Sequence, residues 1–179
     1  MWNTWGAGKL SFASAFGRLM QQHNLDLCIL LETRLSGGDL ARARHRLLAN
    51  WGFYAIECRG LVGGIIVTWR EDLANINVFH NRTQQLVIVI SKSNGSTWFL
   101  SGMYASIEYR ERRVVWHEVA RLIDEDVPSL VVGDFNYIDS TQEKRGGRPF
   151  TNNIESWQFR DFIRITGLVD LGFFAPRFP

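Results

Sequence analysis

The chain has 179 residues, of which 46% are hydrophobic and 21% are charged. A chain of this length buries roughly 70% of its unfolded surface on folding, so it fits one domain with a large core, and its mixed charges argue against disorder. Its 20 Lys and Arg residues exceed its 18 Asp and Glu residues by a formal charge of +2. That excess permits nucleic-acid binding but is too small to imply it.

No apolar run reaches the roughly 18 residues that a membrane-spanning helix needs, so a membrane partner is not expected. The stretch Met1–Ser11 lacks the long apolar core of a secretory signal, which predicts an intracellular protein of the nucleus or cytoplasm. Cys28 and Cys58 lie inside apolar or strand-like runs. We therefore expect two buried free thiols rather than a disulfide or a metal site.

The first third of the chain predicts a helix, a strand and a second helix. Apolar side chains recur at i, i+4, i+7 and i+8 from Phe12, which is the spacing of one helix face. The apolar run Leu25–Leu31 is typical of a buried strand. Gly37 and Gly38 precede the second predicted helix, and Asp39 is its expected N-cap residue.

The middle of the chain changes to a strand-like pattern. Asn94-Gly95 separates two strand-like stretches, and because both residues tolerate positive φ they predict a β-hairpin. The connections between stretches are short, which predicts antiparallel pairing. The β-rich stretches are Gly63–Trp69, Ile76–His80, Gln85–Ser91 and Ser96–Ser106.

The last third predicts two helices and a strand. An interior strand, Ser129–Val132, follows Pro128, and a helix over about Asn153–Thr166 ends at Gly167. The preceding helix has Val115, Val119, Leu122 and Ile123 on one face, and its opening arginines, Arg110, Arg112 and Arg113, are expected in solvent. Helices at both ends with a β meander between them predict an α/β (α+β) fold, a four-layer α-β-β-α sandwich.

Oxygen-bearing side chains recur at the ends of the predicted strands, where rigid backbones meet solvent and sheets build sites. Asp134 follows an apolar run, and in an extended segment Asn136 would face the same side. The candidates are Asn3, Glu32, Tyr104, Asp134 and Asn136.

These residue types suit hydrolysis of a phosphodiester assisted by Mg²⁺, or by Mn²⁺ in its place, because hard cations prefer carboxylate and amide oxygens. Glu32 is the expected metal ligand, and Asn3 would help to hold that edge of the site. Asp134 would orient or deprotonate water, Asn136 would donate to a phosphate oxygen, and the Tyr104 hydroxyl would contact the phosphate. Taken singly, Glu32 has a surface role as its alternative, and the Asp134 segment has a plain turn.

Five short motifs occur in order along the chain: Trp2-Asn3, Leu30-Leu31-Glu32-Thr33, Gly63-Gly64-Ile65, Met103-Tyr104-Ala105-Ser106 and Gly133-Asp134-Phe135-Asn136. In type and order they resemble the endonuclease/exonuclease/phosphatase superfamily. The stretches 143–147 and 167–173 resemble the endonuclease domains of plant non-LTR (LINE-type) retrotransposons. The resemblance implies that the candidate residues act on magnesium and the scissile phosphate of DNA. Lys144, Arg145 and Arg148 are weaker candidates for phosphate or DNA contact, because their loop follows the Asp134 strand.

The chain departs from the family pattern after its last matched segment. Family members continue past the stretch matched by Pro176–Pro179 and supply there a Thr, a further Asp and a closing Ser-Asp-His motif. Here Pro179 stands where the Thr is expected, and none of the four histidines follows Asp134. We therefore expect a single incomplete domain over residues 1–179, truncated at the C-terminus, without its last strands and the closing Asp-His part of the site.

The resemblance implies a magnesium-dependent phosphodiester hydrolase, most like a retrotransposon endonuclease that nicks DNA, with its activity impaired in this chain. One alternative is another phosphoesterase of the same superfamily, acting on a phosphoinositide or a sphingolipid. The other is an inactive remnant that binds nucleic acid weakly or not at all.

Overall fold

A computed structural model describes residues 1–47, 51–60, 62–72, 74–123, 126–138, 146 and 154–172. The chain forms two compact units, one of residues 1–105 and 124–135, the other of residues 106–123 and 136–179. The elements in chain order are β1 (Trp2–Asn3), α1 (Leu10–His23), β2 (Leu27–Leu31), α2 (Gly37–Leu47), β3 (Gly52–Ile56), β4 (Ile65–Trp69), β5 (Asn75–Arg82), β6 (Gln85–Ser91), β7 (Thr97–Tyr104), α3 (Tyr109–Leu122), β8 (Ser129–Asp134) and α4 (Ile154–Thr166).

The first unit contains two mixed four-stranded sheets. The first sheet has the order β1-β2-β4-β3, in which β1 and β2 are parallel and the other pairs antiparallel. The second sheet has the order β5-β6-β7-β8, in which β5, β6 and β7 form an antiparallel meander and β8 runs parallel to β7. The predicted α/β class, with two sheets and helices, is confirmed.

Successive side chains of β2 face two different apolar cores, which explains why the strand is apolar throughout. Cys28 and Leu30 face a core that they share with α1 and α2, whereas Ile29 and Leu31 face a second core between the two sheets. A strand that is covered on both faces has no solvent side, so it carries no polar alternation. The first unit therefore stacks helices, the first sheet and the second sheet in that order.

The two sheets approach closely at Gly102 of β7. A Cβ atom added there would lie 3.1 Å from the Ile29 side chain, which is tighter than ordinary van der Waals contact. Glycine at this position lets the sheets pack close together, as in other places where two backbones must approach.

In the second unit α3 and α4 pack on each other through aromatic rings. The Trp116 ring lies 5.3 Å from that of Phe159 and 6.3 Å from that of Phe162, between ring centroids. Arg112 was expected in solvent, but only 3% of it is exposed. Its Nη1 donates to the carbonyls of Ser106 and Ile107 at 2.9 and 3.1 Å, so it ties down the turn before α3.

Two further expectations about secondary structure need correction. The sequence pattern did not reveal β3, and β4 belongs to the first sheet instead of the meander. Helix α2 begins at Gly37, so Asp39 lies in its first turn and is not the N-cap. The Asn94-Gly95 hairpin is confirmed, although of these two residues Gly95 alone has positive φ, at +85°.

Within the described ranges, no helix combines the length and apolarity needed to cross a lipid bilayer.

The two cysteines differ in exposure, and both are free thiols. Cys28 is buried, as expected, and desolvation raises the pKa of its thiol above the ordinary value. Cys58 is partly exposed, contrary to the expectation of burial.

This difference predicts selective alkylation. Because the thiolate is the nucleophile, iodoacetamide should modify Cys58 in the native protein near neutral pH and leave Cys28 unmodified. Peptide mass spectrometry gives the site of modification, and Cys58→Ser should remove the native reaction. Labelling of Cys28 at the rate of Cys58 would contradict its burial.

Candidate active site

The carboxyl ends of four strands carry four of the predicted site residues. In the first sheet Asn3 ends β1 and pairs in register with Leu31, so Glu32 is the next residue along the neighbouring strand. In the second sheet Tyr104 ends β7 and Asp134 ends β8, and these two residues pair in register. Parallel pairing places both ends at one edge of each sheet.

A hydrogen bond joins the two edges. The Asn3 Nδ2 group donates to Asp134 Oδ2 at 3.0 Å, across 131 residues of sequence. Asn3 belongs to the first sheet and Asp134 to the second, so this bond brings the two strand-end groups into a single cluster. Asn3, Asp134 and Tyr104 are each partly buried.

The segment after β2 holds Glu32 in an unusual backbone conformation. Glu32 has a φ of +50° and Arg34 a φ of +53°, a region that non-glycine residues seldom occupy. Backbone hydrogen bonds on both sides keep it there. The Glu32 carbonyl accepts from the N–H of Gly6 at 2.9 Å, and the Thr33 and Arg34 N–H groups donate to the carbonyls of Gly64 and Gly63 at 3.1 and 3.0 Å.

Glycine is required at position 64 for two reasons. Its φ is +87°, and a Cβ atom there would overlap the Thr33 hydroxyl and lie 3.2 Å from the Arg34 nitrogen. The Gly63-Gly64 pair therefore fixes the backbone of the segment from Glu32 to Arg34 through these hydrogen bonds.

The Glu32 carboxylate is held within this segment. The residue is 7% exposed, and its Oε2 accepts from Arg34 Nη2 at 3.1 Å. The Arg34 guanidinium carbon also lies 5.5 Å from the centroid of the Trp5 ring. Neither Arg34 nor Trp5 was predicted from the sequence, because their contacts depend on the left-handed backbone of this segment and not on a periodic pattern.

The position of Asp134 depends on Gly133. A Cβ atom at residue 133 would overlap the carbonyl oxygen of Met103, its register partner on β7. The Asp134 carbonyl in turn accepts from the N–H of Ala105 at 2.9 Å. The Gly-Asp pair therefore lets β8 lie close beside β7 and sets the carboxylate at the strand end.

The remaining candidates belong to the second unit or lie outside the described residues. Strand β8 ends at Asp134, and Asn136 has a φ of +45° in the second unit, so the extended geometry expected to align the two side chains does not continue that far. Lys144, Arg145 and Arg148 lie outside the described residues.

The donor set of the cluster suits a hard cation. Asn3 Oδ1 is buried and has no hydrogen-bond partner in the described part of the chain. A buried acceptor without a donor costs about 1–3 kcal/mol, so a ligand on this oxygen would remove a penalty. The candidate donors are this amide oxygen of Asn3 and the carboxylate of Glu32, which directly follows the neighbouring strand. No group of three or more His, Cys, Asp or Glu residues assembles among the described ranges.

The overlap at position 133 predicts that Gly133→Ala destabilises the protein by about 1–3 kcal/mol, as overpacking does. Gly17 lies in α1 with nothing within 4 Å of an added Cβ. Gly17→Ala is therefore the matched control and should stabilise by about 0.5–1 kcal/mol. Urea unfolding measures both values, and equal stability of the two variants would refute this account of Gly133.

Several solved structures have a fold similar to that of this chain. Similar solved structures include an AP endonuclease, LMAP, from Leishmania major, with a TM-score of 0.67 at 16% identity over 92% of this chain and 65% of that one. A TDP2 from D. rerio complexed with single strand DNA product gives 0.50 at 17% identity, over 71% of this chain and 54% of that one. ANGEL2, a 2′,3′-cyclic phosphatase, gives 0.51 at 13% identity over 73% and 45% of the two chains.

These likenesses show a shared fold. The chain spans 65% of the length of the AP endonuclease and smaller shares of the other two. No curated protein matches the chain in sequence. Residues 2–178 match the Endonuclease/Exonuclease/phosphatase family, and the chain therefore belongs to that family.

Proposed function

We propose that the Asn3–Glu32–Asp134 cluster is the metal- and phosphate-binding part of a magnesium-dependent phosphodiester hydrolase that acts on DNA. The observation that carries the proposal is the Asn3–Asp134 hydrogen bond, which joins the strand ends of both sheets beside Glu32. The sequence motifs noted above resemble those of LINE-type retrotransposon endonucleases, so the reaction we propose is nicking of DNA.

A divalent metal fits the donors present. Enzymes of this family generally use divalent metals. Glu32 would supply a carboxylate oxygen and Asn3 its buried, unpartnered Oδ1. Bound there, Mg²⁺ or Mn²⁺ would neutralise charge on the phosphate oxygens. The two ends of the Asn3 amide would have different roles. Its Nδ2 group donates to Asp134, and its Oδ1 atom would bind the metal.

The other residues of the site would accept the proton of the attacking water and bind the phosphate. Asp134 is a carboxylate at a strand end and would orient a water or accept its proton as the water attacks phosphorus. The Tyr104 hydroxyl, on the neighbouring strand end, would donate to a phosphate oxygen. Hydrolysis consumes one water and yields a phosphomonoester and an alcohol.

We propose DNA as the substrate, over a phosphoinositide or a sphingolipid, for two reasons. The similar proteins include an AP endonuclease and a TDP2 bound to single strand DNA product, and the described stretch 167–172 retains the retrotransposon-like motif. A phosphoinositide or sphingolipid phosphoesterase is the first rival. A remnant without catalysis is the second.

Metal binding gives the first test. Titration with Mn²⁺, followed by the loss of the free-ion electron paramagnetic resonance signal, should show binding by the unmodified chain. Glu32→Gln should weaken it by at least the roughly 10- to 100-fold that loss of an outer-shell partner costs at metal sites.

Glu71→Gln is the matched control, because Glu71 is exposed and follows β4 at the opposite end of the first sheet. It should leave Mn²⁺ binding unchanged. Binding that is insensitive to Glu32→Gln, or no binding at all, would rule out the proposed metal role of Glu32.

Catalysis gives the second test. We expect little or no Mg²⁺-dependent nicking of supercoiled plasmid by this chain. The histidines of the first unit are His23 in α1, His45 in α2 and His80 within β5, and none stands at a strand end that carries the site. Absence of one group that stabilises the transition state or transfers a proton typically costs about 10² to 10⁴ in rate.

The plasmid assay is run beside Glu32→Gln and Asp134→Asn. Robust nicking that both substitutions abolish would show that the described residues suffice, and that the expected impairment is wrong. Turnover of a phosphoinositide or sphingomyelin in place of DNA would favour the lipid rival. No turnover together with no salt-dependent DNA binding would favour the remnant.

A further inference from the structure

An exposed tryptophan and an arginine stand directly beside the candidate site. Trp5 is 75% exposed, and the Arg34 guanidinium carbon lies 5.5 Å from the centroid of its ring. Arg34 also donates to the Glu32 carboxylate at 3.1 Å. The arginine therefore connects the metal-ligand candidate to the indole, and most of the ring remains in solvent.

The backbone of Trp5 is held in a conformation that suits glycine better than an aromatic residue. Its φ is +49°, and the flanking N–H groups of Thr4 and Gly6 donate to the carbonyls of Leu31 and Glu32, each at 2.9 Å. A bulky side chain in this region is a genuine outlier, and such strain collects at functional sites. A turn alone does not explain a tryptophan here, so the side chain itself needs an explanation.

We propose that the Trp5–Arg34 pair is a stacking platform for an unpaired nucleobase of the nucleic acid strand that the site binds. This proposal rests on the proposed function for its choice of ligand. Arg34 stacks against the ring and adds positive charge beside a site that takes a phosphate. An exposed aromatic ring with a nearby cation is what single-stranded nucleic acid requires, because every base has a π face.

The surroundings of Trp5 favour a base over a protein partner. Along the chain Trp5 is flanked by Thr4 and Gly6, which are small, and the ring contact described for it is with the charged Arg34. A protein interface depends on a contiguous apolar patch with a packed centre, which these three neighbours do not supply. Bases inside a duplex already stack on both faces, so the ligand must present an unpaired base.

The test compares two strands that differ only in their bases. Binding of a fluorescein-labelled oligothymidylate and of an abasic strand of the same length is measured by anisotropy in EDTA, where phosphate charge is equal and hydrolysis is prevented. The parent protein should bind the oligothymidylate about 5- to 150-fold more tightly than the abasic strand, the range expected for one base stack. Trp5→Gly should remove this difference.

Two controls separate stacking from folding. Glycine is the residue that the φ of Trp5 favours, so Trp5→Gly should not lower the Tm, whereas a merely structural tryptophan would cause a loss of stability. Trp157 is 74% exposed on α4, and Trp157→Ala should leave both affinities unchanged. Trp5→Phe should keep most of the preference for bases.

Several outcomes would overturn the platform. They are equal affinity for the two strands, no binding of either strand, or a base preference that survives Trp5→Gly. A blunt duplex that binds as tightly as the oligothymidylate, with the same dependence on Trp5, would overturn the requirement for an unpaired base. Mn²⁺ binding should be unaffected by Trp5→Gly, so failure of the platform and failure of the metal site are read from different measurements.

Discussion

The candidate site exists because two sheets pack closely enough for their strand ends to meet. Gly102 permits that approach, since any Cβ on β7 at this point would press on Ile29 of β2. The core between the sheets is apolar from both sides, with Leu31 and Ile65 facing Leu86 and Ile88. Burial of this surface provides the free energy that holds the sheets together. The Asn3–Asp134 bond at the edge is a consequence of that packing.

Much of the site is built from backbone constraints on a few glycines. Gly133 allows β8 to lie against β7, and Gly63 and Gly64 present the carbonyls that hold the segment after Glu32. These glycines have little chemistry of their own. Their contribution is to place carboxylates on rigid strand ends, where a small displacement would be costly for any reaction that depends on orientation.

In the segment from Glu32 to Arg34, the backbone conformation that positions the candidate site residues is itself unfavourable for stability. Positive φ at Glu32, Arg34 and Trp5 is unfavourable for residues with a Cβ. Hydrogen bonds to the segment after β1 and to the Gly63-Gly64 pair offset that cost. Strain that persists in this way concentrates three side chains, a carboxylate, a guanidinium and an indole, at one edge of the sheet.

The sequence by itself determined the elements whose signal is local. The apolar spacing of α1, the continuous apolar run of β2 and the turn at Asn94-Gly95 each depend on neighbouring residues, and each occurs in the structure. The family motifs also pointed to Asn3, Glu32, Tyr104 and Asp134, which end or directly follow β1, β2, β7 and β8 in the structure. Such strand ends can be recognised from the chain alone where an apolar run and the polar residue that ends it are adjacent in sequence.

Only the tertiary structure decided which strand ends meet and what they contact. The Asn3–Asp134 bond spans 131 residues, and no periodic pattern encodes a pairing at that separation. Strand β3 carries no clear alternation, and β4 joined the first sheet because β2 and β3 pair with it on either side. The burial of Arg112 and the contact of Arg34 with Trp5 depend on local backbone turns. Hydrophobic periodicity reports which face of an element is covered, whereas the partner that covers it is chosen by packing of the whole fold.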